Sequence, residues 1–158
     1  PAPGFSEYCI HGYQNARRLT DGKNYREACV RMAEEAQRIL PSGRGQRLLV
    51  VGTEECMYPA LILAERLERE GREVYCHSTT RSPIVVSREA DYPLKERYEL
   101  RSLYDSGRKT FLYEIAAYDE VLVVTDAAAE EREGLYSLVN ALASCKNDKI
   151  YVLRWCEE

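Results

Sequence analysis

The 158-residue sequence predicts an α/β fold with a doubly wound, mostly parallel sheet. Two fully apolar runs, residues 48–51 and 121–124, have the composition of strands that are buried on both faces. Segments with apolar residues at helical spacing lie between and after these runs, so that strands and helices alternate. This alternation is typical of a parallel sheet, here with at least four strands.

The N-terminal part, residues 1–45, is expected to be a helical segment. A short helix is predicted over residues 6–18, where the pattern is irregular. A longer amphipathic helix is predicted to start at Asn24, a good N-cap residue, and to end before Pro41. Its apolar residues recur at intervals of three and four: Tyr25, Ala28, Cys29, Met32, Ala36 and Ile39.

Residues 46–83 form a predicted β-α-β unit. Gly52 follows the first apolar run and allows a sharp turn at the strand end. A helix is predicted over residues 57–71, with Gly71 as its C′ residue, and a second strand restarts at Val74. The helix residues expected in the core are Leu61, Ala64 and Leu67. The crossover should be right-handed. Because the two strands are parallel, both end at the same edge of the sheet, where open α/β sheets bind ligands.

Residues 84–118 are predicted to be an insertion, rich in tyrosine and charged residues, that is longer than an ordinary loop. We expect a β-prone run at residues 84–86, no regular element at 87–102, a turn at 105–107 and a strand or short helix at 110–113. Two interpretations stay open. The insertion could be a lid over the carboxyl ends of the strands, or an edge hairpin that covers the sheet.

The last segment, residues 119–158, returns to the β-α-β pattern. A helix is predicted over residues 130–144 and a final strand over residues 150–153. The whole chain, residues 1–158, is expected to be one domain, because its 45% hydrophobic content is enough to build a core. It starts with proline and not with Met, so we expect it to be the C-terminal part of a longer protein.

Charge and hydropathy exclude some classes of protein. The formal net charge of −4 provides no basic excess to bind nucleic-acid phosphates, so we do not expect a nucleic-acid partner. No apolar stretch reaches the roughly 20 residues needed to span a bilayer, so no membrane partner is expected either.

The cysteines and histidines give no metal-binding pattern. None of the six cysteines forms a Cys-x-x-Cys pair, so we expect reduced thiols in a cytoplasmic protein and no metal site. The cysteines are Cys9, Cys29, Cys56, Cys76, Cys145 and Cys156. The histidines are His11 and His77, and His77 is expected to be a partly buried strand residue.

Three polar loops are expected to converge at the carboxyl edge of the sheet, and they supply the candidate ligand-binding residues. These residues are Gly52, Thr53, Glu54, Glu55, Ser78, Thr79, Thr80, Arg81, Ser82, Thr125 and Asp126. The first loop precedes a helix, where backbone N–H groups favour a phosphate. Two glutamates in that loop oppose an anion, so it could instead hold a sugar hydroxyl, a cation or a base.

Arg81 is the strongest single candidate. A guanidinium can bind phosphate or carboxylate through two parallel hydrogen bonds, and the flanking hydroxyls can bind the remaining oxygens. Alternatively, Arg81 pairs with Glu54, Glu55 or Asp126 and only holds the loops together. The two glutamates could also simply stabilise the first turn of the following helix, and Asp126 could cap the turn or helix after it.

The loop Thr80-Arg81-Ser82-Pro83 resembles the TRSP-domain family, bacterial domains found C-terminal to a phosphoribosyltransferase domain in gene clusters linked to tellurium resistance and stress. Other stretches match in order and spacing: Gly52-Thr53-Glu54-Glu55, Met57-Tyr58-Pro59, Tyr104-Asp105, Phe111-Leu112-Tyr113 and Tyr118-Asp119. The resemblance covers roughly residues 48–126 and implies a phosphoribosyltransferase domain upstream of Pro1.

A more distant likeness concerns the fold, which is expected to be Rossmann-like or phosphoribosyltransferase-like. The strand, loop and helix around Gly52 look like the first such unit of type I phosphoribosyltransferases. Residues 121–126 are similar to the strand that carries their ribose-binding acidic pair. Here Thr125 replaces the first acid, and Ala127-Ala128-Ala129-Glu130-Glu131 replaces the phosphate loop. A negatively charged loop repels a 5-phosphate.

Three functional hypotheses follow. The first is a nucleotide- or phosphosugar-binding domain that works with the upstream phosphoribosyltransferase domain in a bacterial stress or tellurium-resistance pathway. The second is a non-catalytic docking or dimerisation module, which could form a homodimer. The third is a glycosyl- or phosphoribosyl-type enzyme, with Glu54, Glu55 or Asp126 as catalytic candidates. Its cofactor is unknown, and Mg²⁺ is expected only if a phosphoribosyl donor binds.

Overall fold

The structure is a computed structural model that describes residues 4–15, 21–40, 47–130 and 132–157. Seven strands and three helices occur in these residues. In chain order they are β1 (Ser6–His11), α1 (Gly22–Ile39), β2 (Arg47–Thr53), α2 (Met57–Arg69), β3 (Glu73–Thr79), β4 (Arg97–Arg101), β5 (Lys109–Tyr113), β6 (Glu120–Thr125), α3 (Arg132–Ser144) and β7 (Ile150–Cys156). Residues 41–46, between α1 and β2, lie outside the described residues.

Five of the strands form one parallel sheet in the order β1-β7-β6-β2-β3. This confirms the predicted α/β fold, and the sheet has one strand more than the minimum of four. The additional strand is β1. A helix was predicted over residues 6–18, and this prediction is wrong for Ser6–His11, which form the strand. Residues 16–18 of the predicted helix lie outside the described part. Because β1 is an edge strand with only Ile10 buried, it lacks the apolar run that marks the inner strands.

The α1 helix starts earlier than predicted and ends where predicted. Asp21 is its N-cap and accepts a hydrogen bond from the backbone N–H of Lys23 (3.1 Å), so the prediction of Asn24 as N-cap is wrong. The last helical residue is Ile39, two residues before Pro41.

The α2 helix matches its predicted start. Gly71 lies just after it with a φ of 91°, as expected for a C′ residue. The prediction of Leu61 in the core is wrong, because 47% of its surface is exposed. The side of α2 that faces the sheet instead carries Ala60, Leu63, Ala64 and Leu67.

The sheet has a hydrophobic core on each face. Leu48 and Val50 of β2 point into the core beneath α1 and α2. Leu49 and Val51 of the same strand point into the opposite core, which α3 closes. The molecule therefore has three layers, and the continuous apolar run of β2 is explained by burial on both sides.

The insertion contains an antiparallel hairpin of β4 and β5 that completes the second core. Leu100, Leu103 and Leu112 are buried in the same cluster as Leu49 and Val51. This agrees with the hairpin interpretation, while a lid over the strand ends stays a prediction. The β-prone run at residues 84–86 does not form a strand in the structure. The sequence did not predict β4, because charged residues interrupt its apolar pattern.

The prediction that all six cysteines are reduced is wrong. Cys9 of β1 and Cys156 of β7 form a disulfide, with their Cα atoms 6.1 Å apart. Parallel pairing of β1 with β7 places the two cysteines on adjacent strands, although they are 147 positions apart in the sequence. The structure shows no disulfide at the other four cysteines, Cys29, Cys56, Cys76 and Cys145, all of which lie in the described residues.

The hairpin packs against α3 at Gly134, where there is no room for a side chain. A Cβ atom at this position would lie 2.2 Å from the carbonyl oxygen of Ser102 and 2.8 Å from the Cα of Leu103. Both neighbours are backbone atoms, which cannot rotate away. Glycine is therefore required for the hairpin to reach the helix at this distance.

We predict that Gly134→Ala lowers the free energy of unfolding by about 1–3 kcal/mol, because overpacking outweighs the gain of up to about 1 kcal/mol in helix propensity. Gly22→Ala is the matched control, since a Cβ there meets no atom within 4 Å. Urea denaturation followed by circular dichroism measures both variants. Equal or greater stability of Gly134→Ala would contradict the close approach.

Candidate functional site

The first loop of the site leaves β2 through a tight passage at Gly52. A Cβ atom on Gly52 would lie 2.7 Å from the carbonyl oxygen of Cys56 and 2.9 Å from the sulfur of Met57. Gly52 itself is still part of β2, so its role is to permit this close approach and not, as predicted, to turn the chain. The turn is made by the following residues, and the N–H of Cys56 donates to the carbonyl of Thr53 (2.9 Å).

Glu54 is the central charged residue of this loop. Its side chain is only 3% exposed, and its φ of 50° lies in the left-handed region, which non-glycine residues seldom adopt. Arg81 Nε and Arg108 Nη2 donate to Glu54 Oε1 at 2.9 and 3.0 Å, and Ser102 Oγ donates to Oε2 at 2.6 Å. Three donors from two other segments therefore compensate the burial of the carboxylate.

The prediction that Glu54 and Glu55 stabilise the first helical turn is wrong, because both precede Met57, the first residue of α2. The alternative role predicted for Arg81 is present, since it pairs with Glu54 and also lies 3.6 Å from Glu55. Glu55 is 53% exposed and Arg81 51% exposed, so this second pair is a surface contact. A ligand-binding role for Arg81 stays a prediction.

The second loop meets the first at Thr79. The buried hydroxyl of Thr79 accepts a hydrogen bond from the N–H of Glu54 (3.0 Å), and Thr80 forms a β-bridge with Phe111 of β5. The N–H of Ser82 donates to Thr80 Oγ1 (3.2 Å). A cavity of about 270 Å³ lies here, lined by Glu54, Glu55, Ser78, Thr79, Thr80 and Arg81. The sequence predicted all of these residues as one group.

The third loop joins the others through a network of hydroxyl groups. The Thr53 hydroxyl donates to Thr125 Oγ1 (2.9 Å), and both threonines are fully buried. The Tyr104 hydroxyl lies 2.9 Å from Thr53 Oγ1 and donates to Asp126 Oδ1. Burial raises the pKa of Tyr104, and the nearby Cys56 and Asp126 raise it further, so this hydroxyl keeps its proton.

Asp126 also accepts a hydrogen bond from the Tyr13 hydroxyl (3.0 Å). The turn after Asp126 is capped by Thr125, whose Oγ1 accepts from the N–H of Ala127 (3.1 Å). The helix predicted from residue 130 begins at Arg132. Asp126 thus contacts two tyrosines, Tyr13 and Tyr104, that are far apart in the sequence.

A second cavity of about 340 Å³ opens beside Asp126. It is lined by Tyr13, Asp126, Ala127, Ala128, Ala129, Arg154, Trp155, Cys156 and Glu157. Arg154 is only 6% exposed, and it donates to the carbonyl of Ala127 and to Glu7 Oε1 (2.8 Å). Hydrogen bonds from Arg132 and Arg154 lower the pKa of Glu7. The Glu7 carboxylate therefore stays ionised and holds the buried guanidinium of Arg154 in place.

Four residues of the site were not among the predicted candidates: Tyr13, Ser102, Tyr104 and Arg108. Tyr104 belongs to the stretch Tyr104-Asp105, which carries part of the family resemblance, so the sequence did contain one indication that this residue is functional. Tyr13 was concealed by the incorrect helix prediction. Ser102 and Arg108 flank the hairpin turn, and no local pattern indicates that this turn reaches the strand ends.

Two carboxylates of the site, those of Glu54 and Asp126, are engaged by other side chains and so are poorly placed to bind Mg²⁺. Glu54 is bound by two guanidinium groups and Asp126 by two tyrosine hydroxyls, whereas Mg²⁺ prefers accessible carboxylate oxygens together with water. Within the described ranges, no group of three or more His, Cys, Asp or Glu residues is placed to hold a metal ion.

No helix in the described part of the chain is long and apolar enough to cross a bilayer.

Comparison with known proteins identifies a related family and a related fold. The family model described as "TRSP domain C terminus to PRTase_2" matches residues 11–142. No curated protein sequence matches the chain significantly.

Two crystal structures of phosphoribosyltransferases are similar to the chain at 14% sequence identity. The hypoxanthine phosphoribosyltransferase of Staphylococcus aureus gives a TM-score of 0.51, over 84% of this chain and 65% of that enzyme. The adenine phosphoribosyltransferase of Thermoanaerobacter pseudethanolicus gives a TM-score of 0.39, over 82% of this chain and 81% of that enzyme. This TM-score is too low to support an argument. The first comparison confirms the phosphoribosyltransferase-like fold, and the chain spans just under two thirds of that enzyme's length.

We predict that Glu54→Ala lowers the free energy of unfolding by about 1–3 kcal/mol, because it leaves Arg81, Arg108 and Ser102 without their shared acceptor. Glu55→Ala serves as the control, since its carboxylate is exposed and exposed pairs contribute about 0–1 kcal/mol. Thermal unfolding of both variants measures the difference. A Glu54→Ala protein as stable as Glu55→Ala would show that the buried carboxylate does not organise the loops.

Proposed function

The chain belongs to the TRSP-domain family, and we propose that it binds a nucleotide or phosphosugar at the carboxyl edge of its sheet, beside an associated phosphoribosyltransferase domain. The expected setting is the cytoplasm of a bacterium, in a stress or tellurium-resistance pathway. The observation that carries the proposal is the cavity at the ends of β2 and β3, which Ser78, Thr79, Thr80 and Arg81 line together with Glu54 and Glu55.

Arg81 is the group in this cavity that could bind an anionic ligand. Glu54 is buried between two arginines, so it remains in place when a ligand binds. Glu55 is exposed and 3.6 Å from Arg81, so a phosphate can take its place beside the guanidinium. Arg81 would then keep one hydrogen bond to Glu54 for orientation and use its exposed N–H groups for the ligand.

The contacts of the acidic residues support binding rather than catalysis. A general acid or base must reach the proton that it transfers. Glu54 is engaged by Arg81, Arg108 and Ser102, and Asp126 accepts from Tyr13 and Tyr104. For this reason we rank a glycosyl- or phosphoribosyl-type reaction at Glu54 or Asp126 below ligand binding, while Glu55 stays the exposed catalytic candidate.

Isothermal titration of nucleotides and phosphorylated pentoses tests the proposal. We predict that Arg81→Ala weakens binding about tenfold or more, because a hydrogen bond to a charged group contributes about 1.5–3 kcal/mol. Glu55→Gln should strengthen binding, since it removes the competing carboxylate. Arg69→Ala is the control, because Arg69 is an exposed arginine paired with Glu65 on α2. The proposal fails if the wild-type chain binds none of these ligands, or if Arg81→Ala binds them equally well.

A second candidate function, docking on the phosphoribosyltransferase domain, is favoured by the loop after Ser82. Ile84 and Val85 are 44% and 71% exposed. The loop backbone is nevertheless held in place, because the N–H of Ile84 donates to the Tyr113 hydroxyl (2.6 Å) and Tyr92 donates to the carbonyl of Val85 (2.7 Å). An ordered loop that presents two apolar side chains to solvent is a suitable docking contact.

We predict that Val85→Asp weakens association with a separately expressed phosphoribosyltransferase domain at least tenfold, because a charge would be buried in the contact. Val85→Ala should weaken it less, and Leu61→Asp, an exposed site on α2, should have no effect. Analytical ultracentrifugation of mixtures measures the association. Equal association of Val85→Asp and wild type would exclude this loop as the contact.

A further inference from the structure

Four aromatic rings form a connected column beside the site. Tyr58 and Tyr25 are stacked, with ring centroids 5.8 Å apart and an interplanar angle of 28°. Tyr25 lies 6.1 Å from Trp155, and Trp155 contacts Tyr13 edge-on at 5.3 Å. The column ends at Asp126, to which the Tyr13 hydroxyl donates. It therefore connects the surface at Tyr58 with the carboxylate between the strand ends.

The positions of Tyr25 and Tyr58 in the fold explain why they meet at this edge. Tyr25 is in the first turn of α1, and Tyr58 is the second residue of α2. Each helix follows a parallel strand, so both helices begin at the carboxyl edge, where Glu54 and Asp126 lie. The column is thus part of the edge at which the proposed ligand binds.

Exposure separates Tyr58 from the rest of the column. Trp155 is 3% exposed and Tyr25 is half-buried, whereas Tyr58 keeps 37% of its surface in solvent. A core tyrosine would be covered, and an isolated surface tyrosine would lack a second ring behind it. Tyr58 is a partly exposed ring that Tyr25 supports from one side, which is the arrangement of a stacking platform.

We infer that Tyr58, supported by Tyr25, stacks against the base of a nucleotide, so that the ligand of this site is a nucleoside phosphate and not a simple phosphosugar. The inference rests on the proposed function. Base–aromatic stacking tolerates any base, because every base has a π-face, so the platform defines a ligand class and not one nucleotide. The sugar and phosphate would extend from Tyr58 across the strand ends toward the hydroxyls and guanidinium of the first cavity.

The test compares adenosine 5′-monophosphate with ribose 5-phosphate, which differ by the base. We expect Tyr58→Leu to weaken binding of the nucleotide about 5- to 100-fold, the range for loss of one stacked base. Tyr58→Phe should keep the wild-type affinity, because it retains the ring. Tyr136→Leu is the matched control: Tyr136 is also 37% exposed, but it lies on α3 and packs edge-on against Phe5. Binding of ribose 5-phosphate should be the same in all variants.

A measurement on the wild-type chain makes the test independent of variant folding. Stacking on Tyr58 should shift the adenine H2 and H8 proton resonances upfield when the nucleotide binds. If both ligands bind, but Tyr58→Leu changes neither affinity and the adenine protons do not shift, the stacking inference is wrong and the proposed function stands. If the wild-type chain binds neither ligand, the proposed function fails and this inference fails with it.

Discussion

The arrangement of the site depends on the burial of one carboxylate, that of Glu54. Removing a carboxylate from water costs several kcal/mol unless other groups compensate it. Here the compensation comes from Arg81, in the loop after β3, and from Ser102 and Arg108, at the hairpin turn. Both segments are distant from Glu54 in sequence, and their hydrogen bonds to the buried charge hold them at the end of β2.

The backbone at Glu54 supports the same conclusion. A φ of 50° at a non-glycine residue costs about 1–3 kcal/mol and persists only where the surroundings determine the conformation. The three donors to the carboxylate, and the hydrogen bond from the Glu54 N–H to Thr79, provide that constraint. The hairpin must in turn be held in place, and its approach to Gly134 on α3 does this. Core packing on one face of the sheet therefore determines the geometry of the charged cluster at its edge.

The sequence predicted those parts of the fold whose burial leaves a local pattern. The runs of β2 and β6 are apolar because both of their sides face a core, and α2 has helical periodicity because one side does. The edge strand β1 buries only Ile10, and β4 is interrupted by charges, so neither has a readable period. Likewise, the candidate residues of the three loops lie at the ends of strands or directly after them, where the sequence pattern shows them. Tyr13, Ser102 and Arg108 join the site only through tertiary packing.

The third loop shows why an anion is better placed beside Arg81 than beside Asp126. Thr125, which the likeness to phosphoribosyltransferases places at the first acid of their motif, is fully buried and bonded to Thr53, so it links two strands. The following loop carries three alanines and then Glu130, and the buried Arg154 is already bound to Ala127 and Glu7. The described residues of that loop, 126–130, include no cation to bind a phosphate, and Glu130 repels one. Among the described residues of the three loops, the exposed positive charge is therefore that of Arg81, in the loop after β3.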